Sequence, residues 1–116
     1  MTENNAVLIV EDEYFIAADL ADVLRREGYD IVGPAPSVER ALELMESVRP
    51  IAAVLDIQLN EEQSYPIADK LAASKIPFLF LTCFTVEDLP PRFSDRPLLS
   101  KLSDFAAVAV AISKLT

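Results

Sequence analysis

The chain has no histidine, no tryptophan, one cysteine and only two glycines among its 116 residues. The absence of histidine excludes histidine metal ligands, a histidine general base and a histidine phosphocarrier. The single cysteine, Cys83, excludes an internal disulfide and is typical of a protein from the reducing cytoplasm. We expect Cys83 to be a small buried apolar residue rather than a redox sensor.

Long apolar runs and basic residues are also scarce. No stretch reaches the roughly 18 uninterrupted apolar residues of a membrane-spanning helix, and no signal peptide opens the chain. Ten basic residues against 19 acidic ones give a net charge of −9. We therefore predict no membrane and no nucleic acid partner, and expect cations and basic or mixed protein surfaces instead.

The hydrophobic content of 52% is high enough for a packed core. At this length we expect one domain, residues 1–116, without an output domain. Short apolar runs alternate with amphipathic segments along the whole chain, and the runs occupy residues 7–10, 29–32, 51–56, 78–81 and 98–100. This alternation predicts an α/β fold with a doubly wound sheet of five parallel strands in the order 2-1-3-4-5.

Capping residues and prolines mark the helices between these strands. Asp12, Ser37, Ser64 and Ser103 are the expected starts of four helices. Only fifteen residues separate Thr82 from Leu98, and three of them are prolines. Any helix between the fourth and fifth strands is therefore expected to be short or irregular.

Polar residues follow four of the apolar runs. Glu11 and Asp12 end the first, Asp56 the third, Thr82 the fourth and Lys101 the fifth. In an open parallel sheet, ligand sites lie beyond the carboxyl ends of the strands, so these side chains should meet at one edge. Three carboxylates would repel one another without a cation, and Mg²⁺ suits oxygen ligands. The Thr82 hydroxyl and the Lys101 ammonium would then be suitable partners for the oxygens of a phosphoryl group.

These residues and their order resemble the receiver domain of bacterial two-component response regulators. The matching motifs are Val-Glu-Asp-Glu at 10–13, Leu-Asp at 55–56, Thr82 and Lys101, and the resemblance covers essentially the whole chain. The stretch Phe80-Leu81-Thr82-Cys83-Phe84 is also similar to the Phe-Ala-Thr-Gly-Tyr signature of a subgroup of stand-alone receivers.

The resemblance implies a role for each matching residue. Asp56 would accept a phosphoryl group from a histidine of a sensor kinase or phosphotransfer protein. Asp12, Asp56 and the backbone carbonyl of Gln58 would bind Mg²⁺, and Glu11 would assist through water. Thr82 would be the switch hydroxyl, and Lys101 would contact the phosphoryl oxygens.

The residue after the lysine departs from the family pattern. Receivers nearly always have a proline there, joined by a cis bond that aims the lysine inward, whereas this chain has Leu102. A cis bond without proline costs about 3 kcal/mol. We therefore expect a trans Lys101–Leu102 bond and a lysine displaced from Asp56.

The resulting prediction is a cytoplasmic single-domain response regulator that is not an enzyme, although it assists its own phosphorylation and dephosphorylation. The alternative is a degenerate receiver that binds partners without being phosphorylated; Leu102 and the glycine-free loop after Asp56 favour it. Phosphatases of the haloacid dehalogenase type also use a strand-end aspartate. They need a second aspartate two positions later, where this chain has Gln58.

The last helix has more apolar residues than one packed face requires. Phe105, Val108, Ala109, Ile112 and Leu115 form one stripe, and Ala106, Ala107, Val110 and Ala111 extend it around the helix. An alanine-rich helix chosen for its propensity would explain this pattern. We favour a protein contact surface, with a second copy of the chain as one candidate partner.

Overall fold

The computed structural model describes residues 4–83, 89–102 and 104–116. Its main sheet has five parallel strands: β1 Ala6–Val10, β2 Asp30–Ala35, β3 Ala52–Asp56, β6 Phe78–Thr82 and β7 Leu98–Ser100. The order is β2-β1-β3-β6-β7. Because β6 and β7 are the fourth and fifth strands of this sheet, the predicted order 2-1-3-4-5 is confirmed.

A short antiparallel hairpin, which the sequence did not predict, lies between β3 and the next helix. It consists of β4 Gln58–Leu59 and β5 Glu62–Gln63. From the sequence, residues 58–63 were recognised only as a polar loop without glycine. Its turn is made by Asn60, whose φ of 46° lies in the left-handed region that asparagine tolerates better than most residues.

Helices cover both faces of the sheet: α1 Tyr14–Arg26, α2 Val38–Ser47, α3 Tyr65–Ala73 and α4 Phe105–Leu115. Helices α1 and α4 pack on one face, and α2 and α3 pack on the other. The three central strands β1, β3 and β6 are buried along their whole length, which explains their continuous apolar runs. No helix in the described ranges is long and apolar enough to cross a membrane.

The helix starts differ in part from the sequence prediction. Ser37 caps α2 as expected, since its hydroxyl accepts a hydrogen bond from the Arg40 N–H at 3.1 Å. The N-cap of α1 is Glu13, so the prediction that Asp12 caps it is wrong. Helix α4 is capped by Asp104, whose carboxylate accepts from the Ala106 N–H. The predicted cap, Ser103, lies outside the described residues.

The described part of the segment between β6 and β7 contains no α-helix, in agreement with the prediction that any helix there is short or irregular. Residues 84–88, including Phe84, lie outside the described part; the rest contains one 3-10 turn, Pro91–Phe93. Phe93 is buried and stacks on Tyr65 of α3, with ring centroids 5.7 Å apart. Arg92 donates two hydrogen bonds to Asp69, at 2.7 and 3.1 Å. These contacts tie the turn to α3.

Candidate functional site

The carboxyl edge of the sheet gathers the polar side chains that the sequence placed there. Asp56, Thr82 and Lys101 line one open cavity of about 220 Å³, together with Asp12 and Gln58. Glu11 is 4% exposed and accepts a hydrogen bond from Lys101, which lines the cavity. All six residues predicted for the site therefore lie in or against one cavity.

Lys101 is the centre of the charge network. Its ammonium donates to Glu11 Oε1 at 2.8 Å and to Asp56 Oδ2 at 2.9 Å. The side chains of all three residues are at most 7% exposed. One buried cation thus bridges two buried carboxylates, which could not remain ionised together without it.

The expected displacement of Lys101 is therefore wrong. Within the described residues the only cis peptide bond is Gly33–Pro34, so the trans Lys101–Leu102 bond is confirmed. The lysine reaches Asp56 nevertheless. Its N–H donates to the Thr82 carbonyl at 2.8 Å, which extends the β6–β7 pairing by one residue and holds the backbone at the sheet edge. From this backbone position the long side chain reaches Glu11 and Asp56, whose negative charges attract the ammonium.

Asp12 is half-buried at the mouth of the cavity. Instead of capping α1, its Oδ2 accepts a hydrogen bond from the backbone N–H of Asn60 at 3.0 Å. The hairpin that follows Asp56 thus reaches across to the acid that follows β1. Asn60 was not among the site residues predicted from the sequence. An asparagine in a short polar loop was the available signal, since asparagine favours left-handed turns.

Thr82 and Cys83 form another part of the cavity wall. Thr82 is the last residue of β6 and is 6% exposed. Cys83, expected to be buried, is exposed. It lies just beyond the strand, where the chain leaves the core.

Burial shapes the electrostatics of this site. It raises the pKa of Glu11 from 4.5 to about 7, and the Asp56 charge adds to this effect, while hydrogen bonding to Lys101 opposes it. Burial also raises the pKa of Asp56, again against the lysine. For Lys101 burial alone would lower the pKa, but hydrogen bonds to Glu11 and Asp56 outweigh it and raise the pKa above its ordinary value.

The donor set fits a hard divalent cation. One carboxylate oxygen from each of Glu11, Asp12 and Asp56 lies within 4.8 Å of the others. Oxygen ligands of this kind suit Mg²⁺. Asp12 is the most accessible of the three acids, whereas Glu11 and Asp56 are held by the lysine.

The raised pKa of Glu11 predicts a pH-dependent stability. The folded protein holds a proton on Glu11 that the unfolded chain releases near pH 4.5. The stabilisation from this proton is fully present below pH 4.5 and is lost as the pH rises through about 7. Between pH 4.5 and a pH above 7, the free energy of unfolding should fall by about 3 kcal/mol relative to that of Glu11→Gln, whose side chain cannot titrate. Urea unfolding of both proteins in chelator across this range measures it, and a pH-independent difference would contradict it.

Comparison with known protein families now identifies the class. The family model described as Response regulator receiver domain matches residues 7–93. The chain therefore belongs to the response regulator receiver family, as its sequence motifs indicated. Receiver domains of this family are generally non-enzymatic signalling modules. They generally bind Mg²⁺ in an acidic pocket and interact with histidine kinases or phosphotransfer proteins.

Individual relatives support the same assignment. The chain is 38% identical over 97 residues to the transcriptional regulatory protein PdtaR of Mycobacterium tuberculosis, covering 83% of this chain and 47% of PdtaR. It is 32% identical over 117 residues to the phyllosphere-induced regulator PhyR of Methylorubrum extorquens, covering 93% of this chain and 42% of PhyR. The chain thus spans less than half the length of these curated relatives.

Solved structures match over a larger share. The solution structure of SdrG from Sphingomonas melonis Fr1 has a TM-score of 0.84 and 40% identity, covering 99% of this chain and 98% of SdrG. The BeF3-activated conformation of SdrG gives a TM-score of 0.80. The receiver domain of PhyR from Erythrobacter litoralis has 29% identity and a TM-score of 0.79, covering 97% of this chain and 89% of that one.

Proposed function

We propose that this receiver is a phosphoacceptor and that Asp56 is the residue phosphorylated. The observation that carries the proposal is the position of Asp56. Its carboxylate ends a central strand, lines the cavity, and receives a hydrogen bond from Lys101 at 2.9 Å. A buried aspartate beside a lysine and two further acids is the arrangement that a metal-dependent phosphoryl transfer requires.

The reaction is a transfer from a phosphohistidine of a sensor kinase or a phosphotransfer protein. A carboxylate oxygen of Asp56 attacks the phosphorus, and the new O–P bond forms as the N–P bond breaks. The electron pair returns to the imidazole nitrogen, which takes a proton from solvent. Later attack of water on the phosphorus breaks the O–P bond to Asp56, releases inorganic phosphate and regenerates the carboxylate. The protein thereby assists its own phosphorylation and dephosphorylation without turning over a separate substrate.

The surrounding residues would manage the charge of the phosphoryl group. Lys101 supplies a cation to the phosphoryl oxygens, and the Thr82 hydroxyl supplies a hydrogen bond. Asp12, Asp56 and the Gln58 carbonyl would hold Mg²⁺, with Glu11 assisting through water. When bound, Mg²⁺ neutralises the carboxylates and the incoming phosphoryl oxygens.

The alternative is a degenerate receiver that binds its partners without phosphorylation. Its main support in the sequence was Leu102, which was expected to displace the lysine. The contacts of Lys101 with Glu11 and Asp56 remove that support. The glycine-free loop after Asp56 still favours it.

One labelling experiment separates the two functions. The protein is incubated with acetyl phosphate and Mg²⁺, and the mass increase is measured with and without a chelator. Phosphoacceptor function predicts an increase of one phosphoryl group that disappears in chelator, because the carboxylates do not otherwise tolerate an incoming dianion. An unchanged mass with a folded protein would establish the degenerate receiver.

We also propose that the receiver signals by protein contact through α4, with a second copy of the chain as the partner. The outer side of this helix is apolar: Ala106, Ala107 and Val110 are exposed, and Val110 is 54% accessible. A cavity of about 310 Å³ lies beside Val110, between α4 and the end of α1. Exposed apolar surface next to a cavity is typical of contact sites.

Val110→Glu should therefore abolish self-association. Because Val110 is exposed, the glutamate should change the free energy of unfolding by less than about 0.5 kcal/mol and leave Asp56 labelling intact. Sedimentation of phosphorylated and unphosphorylated protein measures the association. Val48→Glu is the matched control, since Val48 is 39% exposed and directly follows α2, across the sheet from α4. A wild-type protein that remains monomeric in both forms would overturn the homodimer.

A further inference from the structure

The hairpin β4–β5 is attached to its surroundings at three points. Leu59 is completely buried in the core. The Asn60 N–H donates to Asp12 at 3.0 Å. On the far side, the Glu62 carboxylate accepts from the N–H of Val38, the first residue of α2, at 3.1 Å. The hairpin therefore spans the space between the acidic edge and the start of α2.

The hairpin is also closed internally by hydrogen bonds of its own side chains and backbone. The side-chain amide of Gln58 donates to the carbonyls of Asn60 and Glu62, at 3.0 and 3.2 Å. At its base, the Ser64 N–H donates to the Ile57 carbonyl at 2.9 Å. These hydrogen bonds connect the attachment points, so a displacement at one of them should shift the others.

We propose that Glu62 is a positioning residue for the metal site. It touches none of the three acids, and it acts by fixing the hairpin to α2. The hairpin in turn carries the Gln58 carbonyl and the Asn60 N–H that holds the Asp12 carboxylate. The inference rests on the proposed Mg²⁺ site, and it adds a second region, the start of α2, whose order is linked to metal binding.

The bond to Val38 suits this role energetically. Val38 N–H is one of the donors at the start of α2 that have no partner within the helix, and a carboxylate there interacts favourably with the helix dipole. The Ser37 hydroxyl accepts from the Arg40 N–H, and Glu62, 24 residues after Val38 in the chain, caps a second N–H of the same helix end. Reciprocity of linked equilibria then requires that bound Mg²⁺ also strengthens the Glu62–Val38 contact.

Mg²⁺ affinity of matched variants tests the proposal. Isothermal titration of Glu62→Ala should show a dissociation constant about two- to fivefold higher than that of Glu61→Ala. Glu61 is the neighbouring exposed acid of the same hairpin, so the two variants lose the same charge at nearly the same place. Glu62→Gln keeps an acceptor oxygen for Val38 N–H and should recover most of the difference.

Hydrogen exchange at Val38 gives a readout independent of affinity. Mg²⁺ should slow exchange of this amide in wild-type protein and in Glu61→Ala, and should have no effect in Glu62→Ala. Equal affinities of Glu61→Ala and Glu62→Ala, or Mg²⁺ protection of Val38 without Glu62, would overturn the inference while leaving the metal site standing. A wild-type protein that binds no Mg²⁺ would overturn the proposed metal site, and this inference with it.

Discussion

Asp56→Asn is expected to reduce phosphoryl labelling by acetyl phosphate below detection while the protein stays fully folded. The amide oxygen carries no negative charge and cannot form the acyl phosphate. Folding should survive because asparagine has the same shape and leaves Lys101 paired with Glu11 at 2.8 Å. A folded variant that is not labelled would identify Asp56 as the phosphorylated residue and would show that the loss of labelling does not result from unfolding.

The stability of this variant is itself informative. Asp56 and Glu11 share one ammonium, and the charge of Asp56 makes ionisation of the buried Glu11 more costly. Removing the charge of Asp56 leaves one ammonium, that of Lys101, paired with one carboxylate, that of Glu11. Asp56→Asn should therefore be at least as stable as the wild type in chelator at neutral pH, as urea unfolding can show.

The control is Asp19→Asn, which replaces an exposed aspartate of α1. It should be labelled as fully as the wild type. Labelling of Asp56→Asn at the wild-type level would mean that another residue accepts the phosphoryl group. Unfolding of this variant would instead show that Lys101 needs both carboxylates.

The strand order and the gathering of the site residues could be predicted from the sequence, because both follow from one property. Parallel strands that are buried on both faces appear as continuous apolar runs, and their carboxyl ends share one edge. The polar residue after each run then marks the site. The edge strand was predicted less well. Tyr29–Val32 was expected and Asp30–Ala35 is observed, because the apolar run stops at Gly33 and Pro34, which are uncommon inside strands.

The contacts that complete the site could not be predicted, because they join residues far apart in the chain. Asn60 binds Asp12 across 48 positions, and Glu62 binds Val38 across 24. The position of Lys101 was also predicted wrongly, for a different reason. The prediction considered only that no proline follows Lys101. The two carboxylates that attract the lysine lie 45 and 90 positions away, so no local pattern shows them.

Lys101→Met should be the most destabilising single substitution in the site. Methionine keeps the length and the apolar stem of lysine but leaves Glu11 and Asp56 buried without their shared cation. Removing one partner of a buried ion pair costs about 3–5 kcal/mol. Lys114→Met provides the matched control, because Lys114 is exposed on α4 and its loss should cost less than about 0.5 kcal/mol.

The pH dependence distinguishes this explanation from simple loss of packing. Without the ammonium, the pKa values of both carboxyls should rise further, since burial continues to disfavour their charged forms. Groups whose pKa is raised in the folded state stabilise it at low pH and lose this contribution as the pH rises. The deficit of Lys101→Met should therefore be largest at neutral pH and should shrink as the carboxyls become protonated in mild acid. A deficit that stays constant with pH would assign the loss to packing. No deficit beyond that of Lys114→Met would mean that the lysine does not hold the two acids together in solution.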